Sequence, residues 1–163
     1  MQFPSPPRGI KSIPWRLPIL LYQAGLGWIL GSRFLLLRHK GRKSGKVRAA
    51  VLEIIPSLPD AGSYFVVSGF GTRSDWYQNI LQDSCVEIQV GRKRFPAQAI
   101  QLDSPDGAAL FTAYAQKNPG SLQALSKIMG YETKISPQGI RDFGLKIPVI
   151  EFISSYDLPG RIS

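Results

Sequence analysis

Two short segments of the chain hold residue types that can do chemistry together. The first is Gly41-Arg42-Lys43-Ser44-Gly45-Lys46-Val47-Arg48. A glycine-bounded turn presents free backbone N–H groups, Ser44 adds a hydroxyl, and Arg42, Lys43 and Arg48 add positive charge. That combination suits a phosphate. The second is Ser68-Gly69-Phe70-Gly71-Thr72-Arg73-Ser74-Asp75-Trp76-Tyr77-Gln78-Asn79. Here a β-rich run ends in small residues, and a helix then begins with a Trp-Tyr pair. Small residues at a strand end let a flat ring approach the backbone, and a helix N-terminus favours an anion or a ring oxygen. Each segment alone also reads as plain structure: a soluble turn in one case, a turn anchored by Trp76 in the other.

Other chemical patterns fail on spacing or context. Gly41 to Lys46 is not a P-loop: three residues separate Gly41 from Gly45 where four are needed, and Val47 stands where Ser or Thr is required. Gly25, Gly27 and Gly31 miss the dinucleotide fingerprint by one residue and lie inside an apolar, helix-like run. The single histidine, His39, argues against a His-based zinc site, and no local signature makes it part of a nucleophile system. The single cysteine, Cys85, excludes an intramolecular disulfide and fits a reducing compartment. Opening an apolar strand, it reads as a small buried hydrophobe. No acid lies in a context that marks paired-carboxylate catalysis.

The elements that must position the two segments follow from periodicity and punctuation. Residues 1–14, with four prolines, read as an extended arm. A helix is expected across residues 15–31, with Pro18 in its first turn. Phe34–Arg38 and Val47–Ile55 read as a hairpin whose tip is the basic segment. Tyr64–Ser68 is a third strand, expected to be buried on both faces. Ser74 or Asp75 caps a short helix reaching about Leu81. Val86, Ile88 and Val90 alternate with polar residues, and Gly91–Arg94 turns into a partner strand, Phe95–Leu102. Ser104-Pro105-Asp106 starts a helix, and Pro119 opens another whose stripe is Leu122, Leu125, Ile128 and Met129. Residues 131–146 read as irregular, and Ile147–Ile153 as a final strand. Short strands joined by hairpin turns favour an antiparallel sheet or small barrel over a doubly wound parallel sheet. The fold class is therefore α+β, mainly β.

The 163 residues suit one domain spanning 1–163, with barrel strands between 34 and 153. Twenty Lys+Arg against eleven Asp+Glu give a formal charge of +9. The charge is lopsided: residues 1–52 hold ten basic residues and no acid, and the remainder is nearly neutral. Such asymmetry implies an anionic partner: nucleic acid, lipid head groups or a phosphorylated ligand. Nucleic acid is disfavoured, because no helix-turn-helix, zinc or RNA-recognition signature appears. Leu17–Ser32 is uncharged for sixteen residues, short of the roughly 20 that span a bilayer. No small-x-small cleavage site follows it, which argues against a signal peptide. Flanked by Trp15, Trp28 and basic residues, it fits either core packing or a membrane surface.

In tandem, the two segments resemble the deazaflavin-dependent nitroreductase family. The carriers are Gly41-Arg42-Lys43-Ser44-Gly45 with Arg48 three residues on, then Ser68 ending a strand, Trp76-Tyr77-Gln78-Asn79-Ile80, and Val86 to Gly91. The resemblance runs from about Phe34 to Leu102, and more loosely to the strand at 147–153. It implies a split β-barrel with an N-terminal helix and two later helices. It also implies coenzyme F-420 (8-hydroxy-5-deazaflavin) as cofactor, with FMN as the lesser alternative on the same fold. By the family pattern, Arg42, Lys43, Ser44 and Arg48 hold the coenzyme's phosphate. Val51, Leu52 and Glu53 line the ring site, and Val67, Ser68 and Gly69 run beneath the ring. Asp75, Trp76, Tyr77, Gln78 and Asn79 flank the ring and its ribityl chain.

The implied reaction is hydride transfer from the reduced coenzyme to a quinone or nitroaromatic acceptor, which needs no side-chain nucleophile. The chain departs from the family pattern in places. Gly69-Phe70-Gly71 stands for Gly-Gly, Lys40 and Val51 stand where Thr and Pro are common, and Ser74-Asp75 precedes the tryptophan in place of Pro. Residues 118–129 lack the tyrosines of nitroimidazole-reducing relatives, with Tyr114 and Tyr131 only nearby, so a quinone is the preferred acceptor. The expected partners are cofactor and acceptor, with peripheral membrane contact through the N-terminal helix and a homodimer as further expectations. The expected location is cytoplasmic, at or near the inner face of the membrane.

Overall fold

The structure, a computed structural model, describes residues 13–24, 26–56, 62–128 and 136–155. Alternation along six strands sorts the apolar residues into two cores. β1 (Phe34–Lys40), β2 (Val47–Ile55), β3 (Ser63–Val67), β4 (Cys85–Val90), β5 (Lys93–Gln101) and β6 (Val149–Ser154) pair antiparallel. They close into a barrel in the order β1-β2-β3-β6-β5-β4. Closure leaves no unpaired sheet edge. Leu35, Leu37, Val66, Ile88, Ile150 and Phe152 fill the barrel. Tyr77 and Ile80 join them from α2 (Asp75–Gln82), whose N-cap residue is Ser74.

The alternate residues of β2, β3 and β6 face outward beneath a helical layer. This layer is α3 (Ser104–Lys117), α4 (Pro119–Ile128) and α5 (Pro137–Gly144). Ile55, Phe65, Val67 and Val149 pack there against Phe111, Leu122, Leu125 and Phe143. β3 is thus apolar toward both cores, as its sequence predicts: Tyr64 and Val66 face the barrel, Phe65 and Val67 the helices.

The N-terminal region differs from the single helix expected over 15–31. α1 (Ile13–Gln23) starts earlier, which puts Pro18 inside the helix, and a 3-10 segment follows at Gly27–Arg33. Glycine explains the break. Gly31 has φ 62°, which ends regular helix, and a Cβ on Gly27 would overlap the Tyr22 ring. Tyr22 in turn donates a 2.9 Å hydrogen bond to the carbonyl of Phe34, tying α1 to the start of β1. No described helix is long and apolar enough to cross a membrane. The expected arm lies outside the described residues except at its last two positions, which are helical.

Three further expectations are corrected. Residues 137–144, read as irregular, form α5, capped by Ser136, whose Oγ accepts from the Gly139 amide at 3.1 Å. The later helices are therefore three. Asp103 caps α3 in place of Ser104: its Oδ1 accepts from the Asp106 amide at 3.2 Å, which pushes Ser104 and Pro105 into the first turn. Cys85 is exposed, because its place opposite Gln98 at the start of β4 puts it on the outer face of the barrel.

Candidate cofactor site

The basic hairpin tip is a tight turn held at its base. The Gly41 amide donates to the Lys46 carbonyl at 2.8 Å, and the Gly45 amide donates to the Gly41 carbonyl at the same distance. Gly41 has no room for a side chain, since a Cβ would stand 2.9 Å from Ser44 Oγ and 3.2 Å from the Lys46 carbonyl. Gly45 takes φ 64°. Lys43, Ser44, Lys46 and Arg48 are exposed around this turn.

Arg42 behaves differently from the other cations. Its backbone N–H and Nη1 donate to Asn79 Oδ1 at 3.0 and 2.9 Å, and its Nη2 pairs with Asp75 Oδ1 at 3.1 Å. The tip is thereby docked on α2, and the two segments singled out in the sequence meet. Asn79 is buried, and its Nδ2 lies 3.1 Å from His39 Nδ1. The amide expected to flank a ring is fully engaged in holding Arg42 and His39. His39 was not among the predicted site residues. Burial, more than any other cause, lowers its pKa below the usual imidazole value, and Arg48 lowers it further.

The turn after β3 is organised by serines. Ser68 Oγ donates to the Gly71 carbonyl at 2.7 Å and lies 2.6 Å from Ser74 Oγ. Both serines are fully enclosed, so this pair fixes the entry into α2. Trp76 packs on the barrel core and meets Tyr77 edge-on at 6.2 Å. Tyr77 is buried and donates to Gln101 Oε1 at 2.7 Å. Gln78 Nε2 donates to the Thr72 carbonyl at 2.9 Å. Above the end of β3, α4 comes close: a Cβ on Gly69 would meet Leu125 at 3.4 Å, an ordinary contact. The expected ring floor at Val67–Gly69 is therefore walled by α4.

The β2 residues predicted to line the ring divide between two faces. Leu52 points into the barrel, whereas Val51 and Glu53, two positions apart, face outward. Arg48 shares the inward register and lies opposite His39 at the barrel's end. Glu53 is the centre of a second network that sequence reading did not anticipate. Its Oε1 accepts from Arg33 Nη2 at 2.9 Å, Tyr114 Oη at 2.7 Å and Ser121 Oγ at 3.0 Å. One carboxylate oxygen thus joins β2 to the 3-10 segment, α3 and α4. The Tyr114 hydroxyl is pushed up to about 12, chiefly by burial, with Glu53 adding to the rise and Ser121 and Arg33 opposing it.

The donor set at the tip fits a phosphate. Among the described residues, Lys43, Lys46 and Arg48 form no ion pair, and the nearby Asp75 carboxylate is neutralised by Arg42. From Arg48 to Glu53, five strand residues span about 17 Å, a distance that suits an extended coenzyme with a phosphate at one end. A separate cavity of about 410 Å³ lies between α3 and α5, lined in part by Thr112, Arg141 and Leu145, and shares no residue with either network.

The comparisons agree with this geometry. A curated Mycobacterium tuberculosis (strain ATCC 25618 / H37Rv) protein, named as a candidate F420-H2-dependent quinone reductase (Rv3178), is 35% identical over 80 residues. The match covers 47% of this chain and 65% of that protein, so the matched region spans about two thirds of the relative's length. Among solved structures, an F420-H2 dependent reductase (FDR-A) superposes with a TM-score of 0.51 at 21% identity, covering 74% of this chain and 93% of that one. A pyridoxamine 5′-phosphate oxidase-related, FMN-binding protein of Nostoc punctiforme PCC 73102 gives a TM-score of 0.51 at 17% identity, covering 86% and 80%. Both likenesses establish the split-barrel fold. The family model for F420-H2-dependent quinone reductases matches residues 23–129, which contain both chemical segments and the Glu53 network. The chain belongs to this oxidoreductase family.

Proposed function

We propose that this chain binds the reduced deazaflavin coenzyme F-420 and passes its hydride to a quinone. The observation that carries the reading is the docking of the basic turn on α2 through Arg42 and Asn79, inside the region matched by the quinone reductase family. When bound, the coenzyme supplies a hydride, and water or a side chain supplies the accompanying proton to the acceptor. The residues do the rest. Lys43, Ser44, Arg48 and the backbone of the turn receive the phosphate, while Arg42 holds the turn in place. Val51 and Glu53 form the wall of β2 facing the ring, and Leu125 excludes water above Gly69. Ser68, Asp75, Trp76, Tyr77, Gln78 and Asn79 build the frame of the site through the contacts already described.

A phosphate cradle alone suits FMN as well, so the test separates the two cofactors. Purified protein is titrated with coenzyme F-420 and with FMN in parallel, following ring fluorescence. Saturable deazaflavin binding is expected; tight FMN binding without deazaflavin binding overturns the reading.

The finer partner readings belong here too. Leu20, Leu26 and Ile29 are exposed on α1 and the 3-10 segment, beside the cation-rich first third of the chain. They support peripheral contact with an anionic membrane surface from the cytoplasmic side, where a lipid-soluble quinone is at hand. Co-sedimentation with phosphatidylglycerol vesicles, lost at high salt, is the expected result. A structural neighbour described as a domain-swapped dimer (TM-score 0.52, 19% identity) supports a homodimer.

A further inference from the structure

We infer that His39 is a positioning residue for the anion-binding hairpin, acting on Arg42 through Asn79 in its neutral, Nε2-protonated form. The orientation of the Asn79 amide is dictated by Arg42. Two Arg42 donors, the backbone N–H at 3.0 Å and Nη1 at 2.9 Å, face one end of the amide, so that end is the oxygen. The other end, Nδ2, therefore faces His39 Nδ1 at 3.1 Å and donates to it. A nitrogen that accepts a hydrogen bond carries no proton, which places the ring proton on Nε2.

The arrangement has only one self-consistent state. A proton on Nδ1 would set donor against donor. Flipping the amide would satisfy the imidazolium but turn Nδ2 toward the two Arg42 donors. Both side chains are buried, so water cannot readily bridge either conflict. The Arg42–Asp75 ion pair would remain as a second, more exposed tie, so protonation loosens the hairpin tip without freeing it.

The surroundings keep His39 neutral at ordinary pH. Arg48 from β2 faces it and repels a proton; Asp75 from α2 and the backbone at Lys40 favour one. Burial outweighs both favourable influences. The inference rests on the proposed function only for what the hairpin binds. The tie itself is testable without any cofactor.

His39 is the only histidine, so its ring nitrogens are assigned without ambiguity by ¹⁵N NMR. The expected result at pH 7.5 is an unprotonated Nδ1 and an Arg42 amide protected from hydrogen exchange. His39→Asn places an oxygen near the position of Nδ1, and His39→Leu removes the acceptor. Arg42 protection, corrected for intrinsic exchange, should survive in H39N and fall at least about tenfold in H39L. In the wild type, protection should fall as pH is lowered through the His39 pKa, and in H39N it should not. Coenzyme affinity should follow the same order.

A protonated Nδ1 at pH 7.5, equal protection in H39L and wild type, or loss in H39N as large as in H39L overturns the inference. Should H39L fail to fold, the wild-type tautomer and the pH dependence of Arg42 protection decide alone. A coenzyme that binds no variant overturns the functional reading and leaves the NMR outcome standing.

Discussion

Glu53 and Arg42 show how differently charged residues of one site can be employed. Glu53 gathers Arg33, Tyr114 and Ser121 on a single oxygen, so its first effect is to hold α3 and α4 against the barrel. Tyr114→Phe removes the shortest of these bonds without changing the shape of the ring. A hydrogen bond to a charged group is worth about 1.5–3 kcal/mol, and a drop in unfolding free energy of that order is expected in urea denaturation. Arg42 is likewise spent on structure, bonded to Asn79 and Asp75, whereas Lys43 and Arg48 remain available. Lys43→Ala and Arg48→Ala should therefore weaken coenzyme binding by about 1.5–3 kcal/mol per charged hydrogen bond lost, with an unchanged melting temperature. Arg42→Ala should lower both affinity and melting temperature. Parallel fluorescence titration and thermal melting of the three variants checks the division, and a melting temperature for Arg42→Ala equal to wild type would contradict it.

At the scale of elements, the helical layer depends on a close approach that only glycine allows. A Cβ on Gly144 of α5 would stand 3.2–3.3 Å from the Cα, Cβ and carbonyl oxygen of Ala108 on α3. Backbone atoms cannot step aside as a flexible side chain can. Gly144→Ala should therefore cost about 1–3 kcal/mol, as overpacking does, and lower the melting temperature. This contact was not legible in the sequence, although the helix bearing it could have been. Ser136-Pro137 repeats the polar-cap and proline start of α3, and Ile140, Phe143 and Gly144 follow at helical spacing. The hairpin was legible, since its two strands alternate around glycines that cannot continue a strand. The residues that join elements were not: Glu53 meets Tyr114 and Ser121 across 61 and 68 residues of chain, and His39 meets Asn79 across 40. A local pattern identifies which residues carry charge. Only the closed barrel determines which of them are already paired.

At the scale of the whole molecule, the buried titratable groups bound stability on both sides of neutrality. The lowered pKa of His39 means that the unfolded chain takes up a proton, near pH 6.5, before the folded one does. The stability from neutral His39 is complete above that value and declines as pH falls below it. Tyr22, Tyr77 and Tyr114 act in the opposite direction. Burial raises all three pKa values, so the folded protein keeps these protons where the unfolded chain, near pH 10, loses them. Their contribution is complete below about pH 10 and is lost as pH rises through the folded values, which for Tyr114 means about 12. The urea midpoint should therefore fall as pH rises from 10 toward 12, in step with the tyrosinate absorbance of the unfolding fraction. In Tyr114→Phe the overall midpoint is lower but its alkaline decline shallower, because the group with the largest cited shift no longer titrates. An alkaline decline as steep in that variant as in the wild type would show that Tyr114 does not hold its proton through the Glu53 network.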